Sequence, residues 1–268
     1  MIRRPIPKSL ALALGLASVV FLLGAYTLLA RWQHQKNPDD TTIPSWSQIR
    51  QGLVTAIEVN ARTDERWLLE DAKASGARLF AGLIVGVAGA LALGMLMGCF
   101  TPVEAWCNPP LSLLAKIPPT AALAVFFVLV GTEGEMYVTM IAFGILPTLA
   151  MTIFLAVKEF PEELQFKAYT LGASHAEVIW TIIFPHVLPK LIDAVRLVIG
   201  PAMVFLIAAE MLVGSVGFGY TIRLQSKLLN MGVVYPYLAL LAAFGFAMDY
   251  ALYQLQRKLC PWYEGHRS

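Results

Sequence analysis

Charge is scarce in this chain. Of its 268 residues only 14% are Asp, Glu, Lys or Arg, against about 25% in soluble globular domains. Apolar residues reach 57%, above the usual ~45–50%, so too little polar surface remains to cover a fold in water. That excludes an ordinary soluble enzyme and a disordered tail. A net charge of +2 is too small to attract a polyanion, and no nucleic-acid partner is expected. Cysteine is nearly absent: Cys99, Cys107 and Cys260 are odd in number and lack metal-type pair spacing, which argues against a disulfide framework and against a zinc site. The four histidines, His34, His175, His186 and His266, fall in polar connectors or the tail. With no serine–histidine pair and no His-x-x-x-His facing an apolar run, an intramembrane enzyme is disfavoured. No catalytic residue and no metal ligand is assigned. Also missing is any Gly-x-x-x-x-Gly-Lys-Ser/Thr stretch, the loop that cradles nucleotide phosphates. The chain is therefore expected to bind no cofactor. Neither a repeat of 20–50 residues nor a low-complexity tract is present.

What the chain has in quantity is long uncharged runs. Lys8 to Arg31 encloses 22 uncharged residues, Arg78 to Glu104 encloses 25, and Glu135 to Lys158 encloses 22. Each is long enough to cross a hydrocarbon core of ~30 Å at ~1.5 Å per residue. Lys116 to Glu133 encloses 16, with an apolar stretch that begins upstream near Pro109. Arg196 to Arg223 and Lys227 to Arg257 are each interrupted by one acid, Glu210 and Asp249. The expectation is an all-α integral membrane protein with six transmembrane helices. The first run exceeds the 7–15 apolar residues of a signal peptide and lacks its small-x-small cleavage site, so it reads as a retained helix.

Six spans place both termini on one side, and Arg3, Arg4, Lys8, Arg257, Lys258 and Arg267 favour the cytoplasm. The chain divides into an N-terminus and first helix (1–30), an external connector (31–76), a core of five helices (77–257) with an internal connector near 160–185, and a cytoplasmic tail (258–268). In the second span Gly82, Gly86, Ala90, Gly94 and Gly98 repeat every fourth residue, which lets helix backbones approach closely in lipid. Such a row drifts ~40° per step around an ideal helix and is expected to meet more than one neighbour. Pro118, Pro119, Pro147 and Pro201 fall in or beside spans and each removes a backbone donor. An ionised Glu210 or Asp249 within lipid costs at least ~2.5–3.5 kcal/mol, so each needs a partner or a wet cavity. Each is a pathway or gate candidate, or else a polar lock between helices. No basic residue stands at mid-span to receive an anion.

The internal connector reads as helix, turn, helix. Pro161 suits a first helical position, Glu162 and Glu163 suit the positive helix end, and Gly172 suits the position past the C-terminus. Ser174-His175-Ala176-Glu177 matches a capping box, and a second helix with Val178, Ile179, Ile182 and Ile183 on one face is expected to stop at Pro185. Such an element either docks another protein or packs on its own helices.

The spacing here resembles the signature of bacterial ABC importer permeases: Glu-Ala-Ala, three residues, Gly, nine residues, Ile-x-Leu-Pro. The matching positions are Phe166-Lys167-Ala168, Gly172 and Ile182-Ile183-Phe184-Pro185, with both intervals kept. Phe166 and Lys167 replace Glu and Ala, and Phe184 replaces Leu, so a charge contact at the first motif position is not carried over. Ala209-Glu210-Met211-Leu212 before Gly217-Phe218-Gly219-Tyr220, Lys116-Ile117-Pro118-Pro119 with Gly131, Ile43-Pro44-Ser45, and Lys258-Leu259-Cys260-Pro261-Trp262 look like the permeases of the nitrate, sulfonate, taurine and bicarbonate type. The resemblance covers about residues 43–263.

It implies the type I ABC importer permease fold with a cytoplasmic helix-turn-helix coupling element. It also implies a subunit of an ATP-driven importer of a small polar solute. Two permease subunits, a homodimer in the simplest form, would line the pathway. Two cytoplasmic ATPase subunits would use ATP and Mg and dock on the coupling residues Phe166, Lys167, Ala168, Gly172, Ile182 and Pro185. An external substrate-binding protein would deliver cargo by alternating access, and membrane lipid surrounds the helices. An ion-gradient-driven transporter or channel is the alternative, but it leaves the helix-turn-helix unexplained.

Overall fold

The computed structural model of the chain describes residues 7–37, 40–58 and 66–263. Arg3, Arg4, His266 and Arg267, and the side chain of Lys8, lie outside the described residues. Eleven helices are found among these residues, and no strand: α1 Lys8–Lys36, α2 Trp46–Ile57, α3 Trp67–Cys99, α4 Thr101–Leu114, α5 Leu123–Val130, α6 Gly134–Lys158, α7 Glu162–Thr170, α8 His175–Glu177, α9 Phe184–Val213, α10 Phe218–Lys227 and α11 Met231–Leu259. A π-helical turn, Val178–Ile183, joins α8 to α9.

Among the described residues five stretches are long and apolar enough to cross a membrane: Ser9–Lys36, Trp67–Cys99, Gly134–Lys158, His175–Val213 and Met231–Leu259. The sixth expected span is broken. Around 109–131 the chain forms α4, a turn and α5, and α5 has 8 residues, ~12 Å of helix against a core of ~30 Å. Proline accounts for the break. Pro109 and Pro110 are carried inside α4, but after α4 ends at Leu114 the chain meets a second pair, Pro118 and Pro119, in the turn, and neither has an N–H to donate to a helix that would bridge α4 and α5. By contrast α3 begins at Trp67, so residues 67–76 are its first turns and not connector.

Two compact units are formed: Met1–Trp67 with Leu224–Leu238, and Leu68–Arg223 with Ala239–Ser268. In the first, α1 is apolar all round and its side chains, Leu12, Phe21 and Leu28 among them, stand exposed, as expected of a helix whose solvent is lipid. Its C-terminal half is tied to the connector. Tyr26 Oη donates to the Pro44 carbonyl at 2.6 Å, and Trp46 Nε1 donates to Thr27 Oγ1 at 3.1 Å. Ser45 and Gln48 form a capping box that starts α2, so Ile43-Pro44-Ser45 is a helix-entry device. Gly52 lets α2 cross the start of α11, because a Cβ there would stand 2.1 Å from the Gly232 carbonyl oxygen.

In the second unit α6 is the central helix, with Met136, Tyr137, Met140, Ile141, Ile145, Leu149 and Ile153 all buried, and it packs most extensively on α9. The glycine row of α3 lies along α6. A Cβ on Gly82 would meet Ile141 at 2.7 Å, on Gly86 Ile145 at 2.7 Å, on Gly94 Ile153 at 2.6 Å and on Gly98 Val157 at 2.5 Å. The row therefore meets one neighbour, not several. The partner residues are themselves spaced by four or multiples of four, so an i+4 ridge lies along an i+4 ridge.

Candidate coupling element and buried polar cluster

After α6 the chain turns at Pro161, which is the N-cap of α7 rather than its first helical residue. Glu162 and Glu163 fill the first turn, where the helix dipole favours anions. At the other end Gly172 has φ +86°, a left-handed conformation that costs an L-residue ~1–2 kcal/mol and glycine almost nothing. Two bonds close this end: Ala173 N–H to the Ala168 carbonyl (3.1 Å) and Gly172 N–H to the Tyr169 carbonyl (2.9 Å), the paired pattern of a Schellman cap. Ser174 then caps the next helix. Its hydroxyl accepts from Glu177 N–H (3.3 Å), and its own N–H donates to Glu177 Oε2 (2.7 Å). Tyr169 Oη and His175 Nδ1, 3.0 Å apart, brace the two arms.

Pro185 does not end the second helix. The chain runs from α8 through the π turn into α9, with Pro185 in the first turn of α9. A proline there leaves carbonyls one turn back without their usual donor, and the π turn shifts the bonding by one residue: Phe184 N–H reaches the Ile179 carbonyl. The six motif positions thus fall into two sets. Ala168 faces inward while Phe166, Lys167 and Gly172 face outward on α7 and its turn; Ile182 and Pro185 lie half-buried on the helix that enters the bundle. Beside Phe166, Leu164 and Leu171 also point out, Leu171 with 88% of its surface exposed.

The second feature lies near the start of α3. Asp71, Ser75 and Arg78 occupy one helix face, at i, i+4 and i+7, and grip the glycine-rich turn between α9 and α10. Glu210 is fully buried. It accepts from Arg78 Nη1 at 2.8 Å, from Ser75 Oγ at 2.8 and 2.9 Å, and from Gly219 N–H at 2.9 Å. Ser75 Oγ in turn accepts from Phe218 N–H at 2.9 Å. Asp71 accepts from Gly217 N–H (2.7 Å) and Thr221 Oγ1 (2.6 Å). Arg78 also donates to the Val216 carbonyl (2.8 Å) and lies 4.1 Å over the ring of Tyr137. Gly217 has φ +125°, and a side chain there would strike the Glu210 carboxylate at 2.4 Å.

Asp249 is separate from this cluster. It pairs bidentately with Arg196, Nε to Oδ1 at 2.8 Å and Nη2 to Oδ2 at 3.2 Å, and so ties α11 to α9. Arg196 lies within the long helical stretch His175–Val213, and its guanidinium is taken up by Asp249. Sequence reasoning missed Asp71, Ser75 and Arg78 because it counted 31–76 as connector and used Arg78 as a span boundary. A helix begun ten residues earlier would have displayed their common face. Among the described residues no group of three or more His, Cys, Asp or Glu side chains is placed to hold a metal ion.

Comparison with known proteins adds the following. The family described as binding-protein-dependent transport system inner membrane component matches residues 82–260. The taurine transport system permease protein TauC of Escherichia coli K12 is 27% identical over 261 residues, 97% of this chain and 93% of that protein. The nitrate import permease protein NrtB of Synechocystis is 25% identical over 206 residues, 73% of this chain and 72% of that one. Among solved structures, an inward-facing MetNI methionine ABC transporter is similar in fold. The TM-score is 0.64 at 18% identity, covering 72% of this chain and 96% of that one.

Proposed function

The chain belongs to the family of binding-protein-dependent transport system inner membrane components, and from that premise we propose how it works. It is a multi-pass membrane permease subunit whose energy is supplied by a separate ATPase. Two copies of the chain line one pathway, and two ATPase subunits, using ATP and Mg, bind the α7 turn on the cytoplasmic side. An external binding protein delivers the solute. Both termini lie in the cytoplasm. The cargo is a small polar solute of the taurine, sulfonate, nitrate or bicarbonate class, a reading supported by the relatives named for taurine and nitrate.

One observation carries the coupling assignment. α7 and its turn are fixed by a glycine cap at one side and a serine–glutamate box at the other, yet they turn Leu164, Phe166 and Leu171 outward. A rigid, short, polar-backed element that exposes large apolar side chains is built to be covered by a partner. Closure of the ATPase pair pushes this element, and the push enters the bundle directly because α8, the π turn and α9 form one continuous helical path. Phe166 and Lys167, in place of the usual Glu-Ala, exchange an acidic–apolar pair for an aromatic–basic one, so that contact carries a positive charge where the family signature carries a negative one.

Reconstitution tests the whole reading. The full chain is incorporated into proteoliposomes with its ATPase subunits, and uptake of labelled taurine, an alkanesulfonate, nitrate and bicarbonate is followed with the binding protein outside. Uptake that needs ATP and the binding protein and is indifferent to ionophores is expected. Uptake that continues without ATP and collapses with the ion gradient assigns the protein to gradient-driven transport instead.

A further inference from the structure

Two cavities meet where α3 ends beside α7 and the π turn. One, of about 500 Å3, is lined almost wholly by apolar side chains, including Ala88, Ala92, Leu96, Trp180 and Phe184. The other, of about 480 Å3, is lined by Lys158, Glu162, Gln165, Tyr169 and His175 along with apolar groups. Cys99, Phe100 and Ile179 belong to both linings, so the two adjoin.

From Ala88 to Cys99 the apolar cavity follows α3 for ~16 Å, close to the ~15 Å depth of one leaflet of a ~30 Å hydrocarbon core. Trp180 is 66% exposed, and tryptophan is enriched at headgroup level, where its ring is half in hydrocarbon and its N–H meets water. An apolar compartment that adjoins one with both signs of charge is complementary to an amphiphile. A water-soluble solute would leave the first compartment unmatched, and an apolar helix of a second copy would leave the second unmatched.

We propose that the adjoining cavities hold one membrane phospholipid with an amine-bearing headgroup. One acyl chain lies along α3 against Ala88, Ala92 and Leu96. The phosphate takes donors from Lys158 and from the Tyr169–His175 pair, and the amine faces Glu162. Lys158 is already paired with Glu104 at 2.7 Å and remains 44% exposed, so it can serve the phosphate without being left unpaired in the lipid-free protein. The headgroup then fills the space under α7 and braces the helix–turn–helix against the end of α3. This inference requires only that the protein sits in a bilayer, and is independent of the cargo and of the energy source.

Native mass spectrometry of the complete complex, purified from equimolar phosphatidylethanolamine and phosphatidylglycerol, tests it. One phosphatidylethanolamine retained per permease chain is expected, with retention lowered about tenfold by Ala92→Trp, which fills the apolar cavity. Glu162→Gln should reduce the preference over phosphatidylglycerol, and Lys158→Gln, which removes a phosphate donor that both lipids use, should lower the retention of both. Retention unchanged in Ala92→Trp, or equal retention of the two lipids by the unmodified protein, overturns the proposal. So does a disulfide between two copies in Ala92→Cys, which would mean that a second chain covers this face. Should Ala92→Trp fail to assemble, quenching of tryptophan fluorescence by brominated phosphatidylethanolamine decides. The quenched fraction falls in Trp180→Phe if the site is occupied, and equal quenching in both proteins overturns it.

Discussion

Nη1 of Arg78 lies 2.8 Å from Oε1 of Glu210, and the same nitrogen donates to the carbonyl of Val216 at 2.8 Å. One guanidinium therefore connects α3, α9 and the turn that follows α9. Around it, Ser75 and Asp71 take the backbone N–H groups of Phe218 and Gly217. The N–H groups of Gly217, Phe218 and Gly219 and the Val216 carbonyl all have partners here, as irregular backbone within a membrane protein requires. The turn is thus held as one rigid piece on α3, and any movement of α3 relative to α9 has to carry it or break the pair.

Removing one member of a buried pair leaves the other charge uncompensated, at a cost of ~3–5 kcal/mol. Glu210→Gln is expected to lower the thermal unfolding midpoint and to reduce uptake, since the amide keeps the shape but not the charge facing Arg78. The double variant Arg78→Met with Glu210→Met removes both charges, and such apolar replacement is often neutral for stability. If the pair belongs to the gate, the double variant regains the midpoint without regaining uptake. A double variant that transports normally assigns the pair to helix locking alone.

Gly172 isolates conformation from packing. A Cβ there meets nothing within 4 Å, so a substitution acts through φ +86° only. Gly172→Val, β-branched and ill-suited to this region, should distort the turn and uncouple ATP hydrolysis from uptake at ~1–2 kcal/mol of local strain. Gly172→Asn, which visits this conformation more readily, should keep most coupling. Hydrolysis and uptake measured side by side in proteoliposomes check this. Equal coupling in both variants would remove Gly172 from the coupling turn.

The Gly172 turn and the Ser174 box were legible because capping is local: each signal lies within four residues of the group it satisfies. Long spans were legible for the same reason, since hydropathy is a property of a contiguous run. The Asp71–Ser75–Arg78 face was not, because its meaning depends on where α3 begins and on partners more than 130 positions away in sequence. The break at Pro118–Pro119 could be suspected from the residues, yet a 16-residue uncharged run masks it to any count of charges. Pro185 misled in the other direction: it lies in the first turn of α9, and the π turn behind it shifts the backbone bonding so that the helical path continues through it.

Glu159 gives a pH handle outside the spans. Its hydrogen bond from Lys190, and then the charge of that lysine, hold its carboxyl below the ordinary carboxylate range. The sign follows from linkage: a folded value below the unfolded one adds stability that is complete above the unfolded value, ~4.3 for Glu, and is lost as pH falls through the folded value. The midpoint of the unmodified protein should exceed that of Glu159→Gln at neutral pH, and the two curves should converge in acid below pH ~4. A gap that persists unchanged to pH 3 would mean that the Lys190 contact is not the cause. The site is exposed, so the gap is expected to be small and to shrink with salt.

Gly94 and Gly76 lie on the same helix, and the same substitution at each should have opposite signs. At Gly94 a Cβ would stand 2.6 Å from Ile153 Cβ and 2.7 Å from the Ala150 carbonyl oxygen. The carbonyl is backbone inside α6 and cannot swing away, so Gly94→Ala must push α3 off α6, at ~1–3 kcal/mol for overpacking. At Gly76 nothing lies within 4 Å. Gly76→Ala therefore only reduces the freedom of the unfolded helix residue, and should stabilise by ~0.5–1 kcal/mol. Thermal unfolding of the two variants in one detergent, followed by tryptophan fluorescence, compares them directly. A fall in both midpoints would mean that α3 tolerates no added methyl for reasons of helix propensity or lipid contact. A fall at Gly94 alone assigns the cost to the ridge of α6, because helix propensity favours alanine equally at both positions.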